Sequence, residues 1–171
     1  PLQDLQNKFL MAPPSNVDHV IKKDTTKLRF GEIELNIVPL PGHAINQIGV
    51  EVDNILFCAD SVFSKEMLEK HKIPFHVDIE NTMETLTCLK GGDYDFYVPS
   101  HAEPGESLAE LVVANLDLIK HVRQSFLANL ATQKSTEQVL KEISDYYQIT
   151  IQNSQQYYLM NTVVLAYLSD L

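Results

Sequence analysis

The sequence predicts an α+β fold in which a mainly antiparallel sheet is followed by a run of helices. Three observations carry that reading. Ile33, Leu35 and Ile37 alternate with Glu34 and Asn36, the period of a strand with one face turned to a core. From Ser107 onward the apolar residues recur at steps of three and four, the period of an amphipathic helix. The chain of 171 residues is 44% hydrophobic, enough for one core, since a unit of this size buries roughly 70% of the surface its unfolded form exposes.

Taken in order, residues 1–27 are mixed. Leu2, Leu5, Phe9 and Leu10 suggest an amphipathic start, stopped by Pro13-Pro14, which cannot continue a helix. Leu28 and Phe30 before Gly31, then Ile33 to Val38, read as a β-hairpin that runs into the loop Pro39-Leu40-Pro41-Gly42-His43. A second hairpin joins Ile48–Val52 to Ile55–Ala59 through Asp53-Asn54, residue types that tolerate the positive φ of a tight turn. Its exit strand delivers Asp60.

Ile79, Met83 and Leu86 share one helical face, with Gly91-Gly92 as a stop. Phe96-Tyr97-Val98 then reads as a strand that ends at Pro99-Ser100-His101. Ser107 with Glu110 forms a capping-box signature ahead of a long helix through Val112, Ile119, Val122 and Phe126. Ser135 with Gln138 repeats the signature before Val139 and Ile143, and Tyr158–Leu168 is a third, strongly apolar helical stretch. The chain is accordingly divided into 1–106 and a helical region, 107–171, packed on it. It contains no internal repeat.

Composition removes several functions. Twenty-three acidic residues against 13 basic ones give a net charge of −10, and no basic cluster exceeds Lys22-Lys23, so nucleic acid is not expected as a partner. No apolar run approaches the ~20 residues of a membrane span and no signal-peptide layout opens the chain, so a cytoplasmic protein without a membrane partner is expected. Cys58 and Cys88 lie in apolar periodic segments and are expected to behave as small buried hydrophobes.

His43, Asp60 and His101 each fall where a predicted strand gives way to a loop, positions from which rigid strands can present ligands at one edge of a sheet. Imidazole and carboxylate suit zinc and similar metals. Spacing alone leaves a structural role open, because a chain with six histidines has several near turns. His19 and His71 lie in polar surroundings, His121 lies on the long helix, and His76 follows Pro74-Phe75 as a loop contact near the site. For these four, surface or packing roles are expected, and Tyr146-Tyr147 and Tyr157-Tyr158 read as helix packing.

Leu40-Pro41-Gly42-His43, Gln47-Ile48-Gly49-Val50, Ile55–Phe63 with its Cys58-Ala59-Asp60-Ser61, and Val98–Pro104 around His101 occur in an order that resembles the later motifs of the metallo-β-lactamase superfamily. The resemblance spans residues 17–170 and is strongest over 28–104. It implies the C-terminal half of an αββα sandwich and a metal-dependent hydrolase, similar to the glyoxalase II group acting on esters, thioesters or related small molecules. It also implies that His43 ligates a first metal, His101 a second, and Asp60 both, with zinc as the metal and iron or manganese as alternatives. Ala59 stands where many relatives carry Gly, Ala44–Gln47 replaces a common continuation, and Ala102 replaces a frequent Gly.

No His-X-His-X-Asp-His run, the family's source of the remaining ligands, occurs in these 171 residues. The expectation is an incomplete and inactive part of an enzyme that exposes Ile33, Leu35, Ile37 or their strand neighbours and forms a homodimer. Its rivals are a binding or dimerisation module built on the half-fold and, against the acidic charge, a winged-helix-like nucleic-acid reader.

Overall fold

The computed structural model describes residues 16–171, so the amphipathic start expected before Pro13-Pro14 lies outside the described residues. Five strands form one sheet in the order of the chain: β1 (Lys27–Phe30), β2 (Ile33–Pro39), β3 (Ile48–Val52), β4 (Ile55–Phe63) and β5 (Phe96–His101). The first four pair antiparallel and β5 pairs parallel to β4. Asp53 and Asn54 join β3 to β4 with φ of 50° and 60°, the pair of left-handed residues that matches a two-residue turn to strand twist.

Among the described residues five helices complete the fold: α1 (Lys65–His71), α2 (Ile79–Gly91), α3 (Ala109–Asn129), α4 (Thr136–Tyr146) and α5 (Ser154–Asp170). The seven-residue α1, with Leu68 as its one buried residue, is too short to register as a periodic signal. Asp78 caps α2, Ser135 and Gln138 form the expected capping box on α4, and Asn153 caps α5. The box expected at Ser107 and Glu110 does not form. Leu108, 2% exposed, takes the N-cap position of α3, and Ser107 accepts only from the Ala109 amide.

Alternation along β4 decides which face is covered. Leu56 and Cys58 are fully buried and join a core with Leu86 and Leu89 of α2 and with Val112, Ile119 and Phe126 of α3. That core continues through Val139 and Ile143 of α4 to Val164 and Tyr167 of α5, so the helices after residue 107 share one cluster with the sheet. The opposite face is open at Ile33 (56% exposed) and Phe57 (45%), whereas Ile37, opposite Val50 in mid-sheet, is only 8% exposed. Cys58 is buried as expected, but Cys88 is exposed, because it lies off the Ile79–Leu86–Leu89 stripe that α2 turns to the core. No described helix is long and apolar enough to cross a membrane.

Candidate metal centre

The loop between β2 and β3 carries His43 and is held at both ends. Leu40 N–H donates to the carbonyl of Gln47, and the Gln47 side chain returns to the Leu40 carbonyl and reaches Ser61 Oγ at 2.8 Å. Thr85 donates to the Pro41 carbonyl, and the amides of Val77 and Asp78 donate to that of Gly42. Gly42, with φ of 135°, lies so close to the start of α2 that a Cβ would stand 2.4 Å from Thr82 Oγ1. Only a residue without a side chain lets the loop approach this closely.

Asp60 was expected just beyond its strand, yet it lies inside β4, three residues before the end. Ala59 explains the difference. Its φ of 47° accompanies register shifts between β4 and β5 on either side of it, and such an irregularity re-aims the next side chain without ending the strand. His101 closes β5, with its carbonyl accepting from the Ser64 amide.

These three elements bring the expected residues together. His43 Nε2 lies 3.4 Å from Asp60 Oδ2, and His101 Nε2 lies 3.5 Å from Asp60 Oδ1. Both separations exceed the ~2.7–2.9 Å of a charge-assisted hydrogen bond. They match instead the edge of about 3.4 Å of a tetrahedron whose metal–ligand bonds are ~2.1 Å. Each histidine faces a different carboxylate oxygen, so no three donors converge on one point, consistent with the lack, among the described residues, of any set of three His, Cys, Asp or Glu able to hold an ion. Two imidazoles and one carboxylate are donor types that a metal ion such as zinc accepts, and they meet here about Asp60.

The surroundings orient both imidazoles. His43 Nδ1 is 2.9 Å from the Phe75 carbonyl, the arrangement by which a ligating histidine fixes its tautomer and leaves Nε2 free. The His101 ring stacks on Phe63 at 5.4 Å, and His43 meets the same ring at 6.1 Å. Phe63 is held in turn by Asn115 of α3, which accepts from its amide at 3.1 Å and donates to its carbonyl at 2.8 Å. Of the other histidines, His19, His71 and His121 are exposed. His76 is buried edge-on against Phe63, and burial, with a smaller contribution from His43, pushes its pKa down to about 3. Asn115 escaped the sequence reading, although a polar residue on the Val112–Ile119 stripe was a signal that could have found it.

Comparisons with known proteins bear on the family and the fold. Residues 4–101, more than half of the chain, match the model of a family described as the metallo-beta-lactamase superfamily. No curated protein matches. Among solved structures, a metallo-beta-lactamase family protein of Thermus thermophilus superposes with a TM-score of 0.62 at 14% identity, over 92% of this chain and 50% of its own. A beta-lactamase domain protein of Burkholderia ambifaria gives 0.59 at 14% identity, over 92% and 47%. At such identity the likeness is one of fold. The chain spans about half the length of both.

Proposed function

Because the chain belongs to the metallo-beta-lactamase superfamily, we propose that it supplies part of the metal centre of a hydrolase acting on an ester, a thioester or a related small molecule. The observation that carries this reading is the pair of 3.4 and 3.5 Å separations about Asp60, too long for hydrogen bonds and right for metal–ligand edges. Zinc held there would supply a water acidic enough to ionise near neutral pH and a Lewis acid for the scissile carbonyl.

The chain's own residues do the positioning. Asp60 turns Oδ2 toward His43 and Oδ1 toward His101, and both oxygens would be available to bound metal. The Phe75 carbonyl holds the proton of His43 on Nδ1, so Nε2 faces the site. Phe63 fixes the plane of His101. The Asp60 side chain is 34% exposed, so water and substrate can reach it. Two donors per metal fall short of the three usual in catalytic zinc sites, and the 171 residues contain no His-X-His-X-Asp-His run to add the others. By itself the chain is therefore expected to bind zinc below stoichiometry and to lack turnover. Equilibrium dialysis against zinc, with thioester hydrolysis measured on the same samples, tests this: a fully loaded, active chain would overturn the two-donor arrangement.

A second reading, self-association, is favoured by the apolar sheet face that leaves Ile33 and Phe57 about half exposed. Large apolar side chains exposed on a sheet face are a common docking feature, and a twofold pairing of copies would bury these two symmetrically.

A further inference from the structure

A groove lies between the segment after α1 and the last helix, with Phe75, the neighbour of His43, on its wall. It encloses about 360 Å³ and is walled by Ile73 and Phe75 on one side and by Ile149, Ile151, Leu159 and Val163 on the other. Phe75 belongs to both places, since its ring meets His43 edge-on at 5.3 Å while its carbonyl engages His43 Nδ1. Among the described residues only His71, Thr150 and Gln156 bring polar side chains to the lining. Lys72, the cation nearest in sequence, is turned away to donate to the carbonyl of Tyr147 at 2.8 Å. Burial, with smaller contributions from Lys70 and His101, lowers the pKa of His71.

We propose that this groove takes the aliphatic acyl portion of the substrate and leaves its scissile carbonyl beside His43 and Asp60. The proposal rests on the hydrolase reading for the second half of that statement and on the groove alone for the first. Its volume lies at the lower end of ligand sites, which run ~300–1,000 Å³, and suits a medium-length chain. Among the described residues no lysine or arginine lines it, so the groove offers no fixed positive charge to a phosphate or carboxylate.

Neutral probes separate the groove from the metal chemistry. Straight-chain alcohols from ethanol to octanol, titrated calorimetrically into the metal-free chain, are expected to bind about fourfold more tightly with each added methylene until the groove is full. Leu159→Glu, at a position 43% exposed and so tolerant of a charge, is expected to flatten that dependence, whereas His43→Ala is expected to leave it unchanged. An affinity independent of chain length, or a dependence that Leu159→Glu does not alter, would overturn the groove whatever the outcome of the hydrolysis measurements. A chain-length dependence intact in a chain that takes up no zinc at all in equilibrium dialysis would instead overturn the metal-centre reading alone.

Discussion

At the scale of single residues, the two cysteines separate by environment. Burial raises the Cys58 thiol to about 11, leaving almost no thiolate at neutral pH, and thiolate is the form that reacts. Iodoacetamide at pH 8 is therefore expected to alkylate Cys88 and spare Cys58 in the folded chain, as peptide mass spectrometry would read out; equal labelling would contradict the burial. His76 gives a pH dependence. Its pKa falls from an ordinary 6.5 to about 3 on folding, so between those values the unfolded chain binds the extra proton. The stability contributed by the neutral ring is complete above about pH 6.5 and is lost as pH falls toward 3. Denaturant midpoints measured from pH 7 to 4 should drop more steeply for the unsubstituted chain than for His76→Met.

At the scale of elements, the clamp from α3 to the end of β4 is the contact on which the site depends most. Asn115 satisfies both backbone groups of Phe63, the residue that orients His101 and meets His43. Asn115→Leu would strand a buried N–H and C=O, and a loss of about 3 kcal/mol is expected by urea unfolding. A loss below about 1 kcal/mol would show that water replaces the amide. The hairpins and longer helices were legible in the sequence, because Asp53-Asn54, the period-two strands and the 3–4 spacing each state a local preference that the fold keeps. His43 and His101 were legible for the same reason, being tied to a Pro-Gly turn and a strand end. The bulge that aims Asp60 was not, since alanine gives no sign of a positive φ. Nor were the Asn115 clamp and the Phe75 carbonyl, which join residues 52 and 32 positions apart.

For the whole molecule, the open sheet face makes a prediction about assembly. If copies pair through it, light scattering should give a dimer mass at high micromolar concentration, and Phe57→Lys should return the monomer without loss of helical circular dichroism; a monomer throughout would leave the face without a partner copy. One contact described by the sheet register limits how such pairing can occur. Tyr97 exchanges both backbone hydrogen bonds with Gly105 on the far side of β5 from β4, and Pro99, two residues on, has no N–H to offer. The edge strand that ends in His101 is thus largely closed to a foreign strand. Fibril-like growth by edge addition is barred at the end of the sheet that carries the metal-site loops, and copies that pair through the face leave those loops open to solvent.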